Sequence, residues 1–334
     1  MEATASIAWQ YAPPILTAPP WEDPELLAQQ VISGIASGSL FAILALAIVL
    51  IYRSTSVLNF AQGEMAMFST FIAWTFMTRM DFWLAFLLAI LVAAAIGAAL
   101  ERLVLRPVER AAPLNSLIVT LGLFTGFNGL ALWIWGPLPK GFGPFSLFEG
   151  FPLIGGALES AFPFFRGSAY CVSDVCIGRL NVGVLIVATI VMAGLYLLFQ
   201  RTRVGLAMRA TAQNPLASQL AGIPVGNMLT LGWGLSAGVG AIAGVLVAQS
   251  VSLTTGSLFV ILLYAFAAAV LGGLDSPVGA VVGGLTIGVT KNLAATYVPS
   301  EVGNVDVAIA FAVIVVVLMI RPAGLFGRPP PRRV

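Results

Sequence analysis

The sequence is short of the residues on which soluble proteins and most enzymes depend. Only 9% of its 334 residues are charged and 59% are hydrophobic, whereas soluble domains carry about 25% charged residues. It contains no histidine and two cysteines, so it offers few ligands for zinc, haem or an iron–sulfur cluster. We expect no metal or cofactor site. It also lacks a Gly-rich Lys-Ser/Thr phosphate loop and any long charged tract, so we expect neither a nucleotide site of that type nor a nucleic-acid partner.

Long apolar runs make up most of the chain. A bilayer core about 30 Å thick requires about 20 apolar residues per helix. Runs without interior charge, separated by charges or by Pro and Gly, predict about nine spans, with eight to ten as the range. The predicted spans are 28–52, 58–78, 82–104, 114–135, 181–200, 228–249, 257–274, 278–298 and 304–320. The predicted fold class is therefore all-α, a polytopic transmembrane helical bundle in one domain, 28–320.

The remaining segments predict the topology. Residues 1–27 hold acidic residues, five prolines and no Lys or Arg, which is typical of a short extracytoplasmic tail and not of a signal peptide. We expect 136–179 to be an external loop, 201–227 a cytoplasmic loop and 321–334 a cytoplasmic tail. With the N-terminus outside, eleven of the sixteen Lys and Arg residues lie inside, in agreement with the positive-inside rule.

Both cysteines fall in the predicted external loop. Cys171 and Cys176 are separated by four residues. The oxidising side of the membrane favours a disulfide between them, and two free thiols are the alternative.

Glycines four residues apart recur along the predicted spans. This spacing lets helix backbones approach closely within a bundle; clearance along a substrate path is the alternative interpretation. The pairs are Gly34 and Gly38, Gly122 and Gly126, Gly240 and Gly244, Gly279 and Gly283, and Gly284 and Gly288.

The stretch VLNFAQGEMAMF, residues 57–68, places three polar side chains at the start of an apolar run. If the helix begins beside Asn59, this residue and Gln62 have the spacing of a capping box, and Glu64 complements the positive end of the helix. A carboxylate inside a span usually faces a cavity or a partner. We therefore predict Asn59, Gln62 and Glu64 as pathway or gate residues near the cytoplasmic mouth, with capping alone as the alternative.

Lys291 is the one basic residue in the interior of a predicted span, about 10 Å from its outer end, since Arg102 lies at the end of the span 82–104. Its ammonium group would either reach outward toward Glu301 or Asp306 or contact an anionic group of a substrate.

The cytoplasmic loop contains NPLASQLAGI. Pro215 after Asn214, with Pro224 downstream, predicts a short helix, and a short helix on a loop suits insertion into a groove of a soluble partner. The residues predicted to couple the chain to such a partner are Arg203, Gly205, Arg209, Asn214, Pro215, Ala217, Ala221 and Gly222.

Several segments carry a family resemblance. They are VLNFAQGEMAMF, ERLVLRPVER, TRVGLAMRATAQNPLASQLAGI with GWGLSAGVGAIAGVL, VLGGLDSPVGAVVGGLTIGV, and RPAGLFGR. Together they resemble the permease subunits of branched-chain amino acid ABC importers, the LivH type in particular. The resemblance implies the ABC importer permease fold, a related LivM-type permease as partner, two cytoplasmic ATP-binding subunits and an extracytoplasmic substrate-binding protein, all at the plasma (inner) membrane. It also implies that the coupling helix falls on 214–222.

Two positions depart from the family pattern. Gln62 stands where the family usually has the histidine of NFAHGE, and Lys291 lies where an acidic residue is common. Related permeases also carry urea, short amides and other small organic ligands, which are the alternative substrates.

Two other functional classes would require other residue patterns. A membrane enzyme would need a cluster of carboxylates or nucleophiles at one membrane face, and an ion-coupled transporter would need paired ionisable residues near the midplane. The acidic residues other than Glu64 occur singly in loops or at helix ends, so we expect a transport subunit and not an enzyme.

Overall fold

The fold is a bundle of helices with one small hairpin. The computed structural model describes residues 23–55, 57–108, 113–141, 170–172, 175–297, 305–321 and 323–327. The helices are α1 (Pro24–Thr55), α2 (Gln62–Met77), α3 (Phe82–Leu100), α4 (Pro113–Trp135), α5 (Arg179–Arg201), α6 (Arg203–Gln213), α7 (Pro215–Leu220), α8 (Val225–Val247), α9 (Phe259–Gly272), α10 (Pro277–Tyr297) and α11 (Val305–Ile320). The antiparallel strands are β1 (Tyr170–Val172) and β2 (Val175–Ile177).

Each of the nine predicted spans contains a helix, which confirms the all-α class. In the part of the chain that the structure describes, six helices are long and apolar enough to cross a membrane by length and composition: α1, α3, α4, α5, α8 and α10. The other three, α2, α9 and α11, have 16, 14 and 16 residues, fewer than the roughly 20 of a complete span.

Contacts between helix ends show which ends lie on the same side of the bundle. At one end of the bundle, which we call the basic end, the guanidinium of Arg53 on α1 lies 5.6 Å from the ring centre of Phe199 on α5, and Arg106 after α3 bonds to Gly226 at the start of α8. At the opposite end, the segment after α4 pairs through Lys140 with Leu253, between α8 and α9. Successive membrane helices therefore alternate in direction between these two ends.

Helix α1 lies at the centre of the bundle. Its residues from Phe41 to Ile51 are all buried, so other helices, and not lipid, surround this stretch. Its most extensive partner is α10. A Cβ added to Gly284 of α10 would lie 2.6 Å from the backbone nitrogen of Ala42 in α1, so this helix pair packs backbone against backbone, as the glycine spacing predicted.

The hairpin packs on the first turns of α1. The Gln29 side chain donates from Nε2 to the Cys176 carbonyl at 2.6 Å and accepts from the Cys176 N–H at 2.7 Å. Cys176 is disulfide-bonded, and the strand register places Cys171 directly opposite it. Most of the predicted external loop, 142–169, lies outside the described residues.

The loop predicted over 201–227 is more helical than expected. Only a helix beginning after Asn214 was predicted, and α7 is that helix. The preceding residues also form a helix, α6, whose start is capped by the Thr202 hydroxyl accepting from the Gly205 N–H at 3.0 Å. The segment is a helical hairpin at the basic end. Helix α1 begins at Pro24, within the predicted tail 1–27; residues 1–22 lie outside the described residues.

Candidate functional site

The capping role predicted for Asn59 is wrong. Helix α2 begins at Gln62 with Ala61 as its N-cap, and no side chain caps it. The Asn59 side chain instead accepts from the Ala61 N–H at 3.0 Å and donates from Nδ2 to Gln62 Oε1 at 3.2 Å. Asn59 therefore stabilises the turn before the helix and orients the Gln62 side chain.

Gln62 connects three helices. Its Nε2 donates to the Ser236 carbonyl on α8 at 3.2 Å, and its Oε1 lies 3.1 Å from the Ser236 hydroxyl. That hydroxyl donates to the Ala47 carbonyl of α1 at 2.7 Å. Asn59, Gln62 and Ser236 are each 0% exposed, so their amide and hydroxyl groups form a satisfied polar network within an apolar core.

This network lies deeper than the sequence predicted. Ser236 is the middle residue of α8, Val225–Val247, so Gln62 lies halfway along the bundle and not near a mouth. Because α2 begins in the interior, its 16 residues, about 24 Å long, suffice to reach the far end.

Glu64 is buried, with only 1% of its surface exposed. Its Oε2 accepts from Nδ2 of Asn128 on α4 at 3.3 Å. It lies in the first turn of α2, where the helix dipole favours negative charge. Gln62 and Glu64 are two residues apart and face different sides of α2. We call the Gln62 network and the Glu64–Asn128 pair together the polar cluster; its residues are Asn59, Gln62, Glu64, Asn128 and Ser236.

A crevice of about 10 Å³ adjoins the polar cluster on the side of the basic end. Asn59, Ser116 and Thr120 line it together with Trp233, whose buried Nε1 has no hydrogen-bond partner among the described residues. This volume suits about one water molecule. The polar cluster is thus bordered by further polar groups on the side of the basic end and is nearly closed in this conformation.

The face of α4 that points away from the bundle is rich in glycine. A Cβ added at Gly122, Gly126 or Gly129 would meet none of the described atoms within 4 Å. By contrast, a Cβ on Gly240 of α8 would lie 2.8 Å from Gln62 Nε2, and a Cβ on Gly244 would lie 2.8 Å from the Ala66 carbonyl oxygen. Within the described part of the chain, the pair Gly122 and Gly126 has no helix packed against it, unlike the pair on α8.

Lys291 is not part of the polar cluster. Its Nζ lies 5.7 Å from the ring centre of Tyr264 on α9, in cation–π geometry. Of its two predicted acidic partners, Glu301 lies outside the described residues, as does the side chain of Asp306. Contact with a substrate stays a prediction.

Helix α7 presents apolar side chains on the surface of the basic end. Leu216 and Leu220 are 69% and 84% exposed, and residues four apart share one helix face. The helix has well-formed ends: the Asn214 side chain accepts from the Ala217 N–H at 2.9 Å, Pro215 occupies the first turn, and Gly222 ends the segment with φ +80°. An isolated six-residue helix is marginal in water, so these ends hold the leucines in place.

The other predicted coupling residues divide by location. Arg203 is exposed on α6, whereas Gly205 is buried at the closest approach of α6 to the Leu198 carbonyl of α5. Arg209 is half-buried and donates from Nη1 to Gln200 Oε1 at 3.2 Å. Gly205 and Arg209 therefore hold α6 against α5, whereas Arg203 of α6 and the two leucines of α7 are exposed.

The largest cavity described, about 790 Å³, lies between α1, α5, α6 and α10 at the basic end. Arg53, Arg209 and Asp275 line it together with apolar side chains such as Met192 and Val281. None of the polar cluster residues lines this cavity.

Sequence reasoning missed Asn128 and Ser236. Asn128 was detectable in principle, because it is an amide deep within a predicted apolar span, where polar side chains face protein or water. Ser236 had no such signal, since serines are common in packed membrane helices.

The fold and the buried polar cluster define an integral membrane protein of the transport class. The sequence profile of the family described as branched-chain amino acid transport system, permease component, matches residues 30–319. The chain belongs to this family, and it is a multi-pass membrane permease and not a member of a known enzyme family.

Individual relatives agree with this assignment. The chain is 29% identical over 317 residues to the high-affinity branched-chain amino acid transport system permease protein BraD of Pseudomonas aeruginosa, covering 92% of this chain and 97% of that protein. It is 29% identical over 322 residues to LivH of Escherichia coli K12, with the same coverage. It is 30% identical over 305 residues to a probable LivH of Methanocaldococcus jannaschii, covering 86% of this chain and 89% of the relative.

Proposed function

We propose that the chain is the permease subunit of an ATP-driven importer for branched-chain amino acids, and that the polar cluster lies on the substrate path. The observation that carries this proposal is the buried Glu64 with its single described hydrogen bond, to Asn128. A carboxylate held this deeply is costly and usually functional. The apolar surroundings suit a ligand with an aliphatic side chain, and the amide and carboxylate groups suit its polar end.

ATP hydrolysis in this proposal belongs to two partner subunits at the basic end. Helix α7 supports that assignment, because Leu216 and Leu220 form an exposed apolar pair outside the membrane-spanning helices. Such a pair suits a groove in a soluble protein. Mg-ATP is accordingly a ligand of the partners and not of this chain.

A second, related permease completes the path, and the glycine face of α4 is its docking surface. Lipid chains gain little from a face of Gly122, Gly126 and Gly129, whereas small residues let a partner helix approach closely. Asn128 projects from a different side of the same helix and bonds to Glu64, so α4 would connect this docking surface to the polar cluster.

The basic end faces the cytoplasm in this proposal. Arginines gather there, which agrees with the positive-inside rule; they are Arg53, Arg102, Arg106, Arg201, Arg203, Arg209 and Arg321. The N-terminus and the hairpin then lie outside, where an extracytoplasmic binding protein delivers the ligand. The membrane is the plasma (inner) membrane.

Native mass spectrometry of the complex extracted gently from source membranes tests the assembly. We expect one copy of this chain, one related permease and two ATPase subunits. Uptake of leucine and of urea into vesicles containing the complex tests the ligand. ATP-dependent leucine uptake supports the proposal; uptake of urea in place of leucine, or uptake by this chain alone without ATP, would refute it.

A further inference from the structure

An ion pair between a buried carboxylate and a partly exposed arginine lies at the basic end of α3, away from the polar cluster. Glu101 is 1% exposed, and Arg106 contacts it through two hydrogen bonds. Arg106 Nε donates to Glu101 Oε1 at 3.0 Å, and Nη2 donates to Oε2 at 2.9 Å. This two-point, charge-assisted geometry is among the strongest and most directional that side chains form.

A local change of helix type makes this pairing. Residues Glu101–Leu105 form a π-helical turn, and the Arg106 N–H donates to the Glu101 carbonyl at 2.7 Å. In a regular α-helix, side chains five residues apart diverge by about 140° around the axis. The wider turn brings them to one side, and such turns are frequent at functional sites.

The ion pair also binds the start of α8. The Thr230 hydroxyl donates to Glu101 Oε2 at 2.6 Å, and Arg106 Nη2 donates to the Gly226 carbonyl and to Thr230 Oγ1, both at 2.7 Å. A Cβ on Gly226 would lie 3.3 Å from the guanidinium carbon of Arg106. We call Glu101, Arg106, Gly226 and Thr230 the α3–α8 clamp.

The α3–α8 clamp lies between α7 and the polar cluster. Gly226 follows Gly222, which ends the α7 segment, by four residues. Ser236, the partner of Gln62, lies ten residues beyond Gly226 on the same helix, about 15 Å along its axis. A displacement of α7 therefore reaches the clamped first turns of α8 before it reaches the polar cluster.

We propose that the α3–α8 clamp transmits movement of α7 to α3 and α8 together, and so couples ATP hydrolysis to opening of the path. Glu101, Arg106 and Thr230 act as positioning residues, because they hold two helices in one orientation and do not touch the substrate. This inference rests on the proposed docking of an ATPase on α7.

The test uses the complete complex, with all its subunits, in liposomes. Leucine uptake and ATP hydrolysis are measured on the same vesicles and normalised to assembled complex. Thr230→Val removes the hydroxyl at nearly constant shape, and Glu101→Gln removes the charge. Thr230→Ser is the conservative replacement, and Arg102→Gln, at the adjacent exposed position, is the matched control.

Thr230→Val and Glu101→Gln are expected to lower the leucine transported per ATP hydrolysed by about tenfold, within the range of coupling between distant sites. Hydrolysis per complex should stay near that of the unmodified protein. Thr230→Ser and Arg102→Gln should keep the unmodified ratio.

A purely structural clamp would give a different result. The inference would be overturned if the variants lost assembled complex while the remaining complex kept the unmodified ratio of leucine transported per ATP hydrolysed. An equal fall in uptake and in ATP hydrolysis would also overturn it. Absence of ATP-dependent uptake in the unmodified complex would instead overturn the proposed function, and the clamp's role with it.

Discussion

Replacing Glu64 by glutamine is expected to stabilise the fold and to reduce transport. A charged residue at the centre of a membrane helix costs about 2.5–3.5 kcal/mol, and a hydrogen bond to a charged group returns about 1.5–3 kcal/mol. The one described bond to Glu64, from Asn128, is 3.3 Å long, so the lower return applies. Glutamine keeps an acceptor oxygen without the charge, and the expected gain is about 1–2 kcal/mol.

The measurement is the thermal unfolding midpoint of the complex in lipid nanodiscs, followed by tryptophan fluorescence at a fixed heating rate. For chains of more than 150 residues, 1 kcal/mol corresponds to about 2–4 °C, so the midpoint should rise by a few degrees. Leucine uptake is measured on the same preparation and should fall, because the charge of Glu64 is no longer available on the path.

Asn128→Leu provides the matched comparison. In the unmodified chain it leaves a buried carboxylate without its donor, which costs about 1–3 kcal/mol. In the Glu64→Gln background, Asn128→Leu should destabilise the fold less, because leaving a neutral amide without a partner costs less free energy than leaving a carboxylate without one. The difference between the two backgrounds is the coupling energy of the pair.

Two results would refute this reasoning separately. A lower midpoint for Glu64→Gln would mean that the carboxylate stabilises the fold, so its burial would need no functional explanation. A higher midpoint with unchanged uptake would confirm the energetic cost and remove the proposed role of the charge in transport.

The remaining predictions concern packing, docking and the hairpin. Gly284→Leu should lower the unfolding midpoint by at least several degrees, since overpacking costs about 1–3 kcal/mol or more. Gly126→Leu should leave the midpoint unchanged. It should instead weaken the pairing of the two permeases, as measured by native mass spectrometry. Leu220→Asp should abolish co-purification of the ATPase subunits, and Gln219→Asp, at the neighbouring exposed position, should not; loss with both would point to general disruption. Cys176 should resist alkylation in the denatured, unreduced protein and should react after reduction. The mass of the peptide that contains Cys176 measures the labelling. Labelling before reduction would contradict the disulfide.

The sequence located the membrane helices because each apolar run is bounded by charges or by Pro and Gly, and because burial in lipid requires such runs. It did not locate α6, since Arg203–Gln213 mixes charged, polar and apolar residues and is too short and too polar to resemble a membrane span. The ends of α7 were predictable, because Asn214, Pro215 and Gly222 satisfy its terminal groups through local chemistry.

The candidate site was predicted in part. Asn59, Gln62 and Glu64 stood out as polar residues beside an apolar run, but their depth was wrong because α2 starts in the interior of the bundle. The number of residues between a side chain and the start of its span gives the depth of that side chain in the membrane only when the helix begins at the membrane surface. Asn128 and Ser236 come from distant parts of the chain, and only the packing of α4 and α8 brings them to the cluster.

The contact between α1 and α10 limits how the protein can open. Where glycine faces backbone, as at Gly284 and Ala42, sliding one helix by a residue would drive a Cβ or a larger group into the main chain. The two helices therefore have one permitted alignment and must move as a single body. Within the described part of the chain, the glycine face of α4 makes no such contact, so no backbone interlock within this chain fixes the position of α4 in the same way. We therefore expect any opening of the path to keep α1 and α10 together and to move other helices relative to this pair.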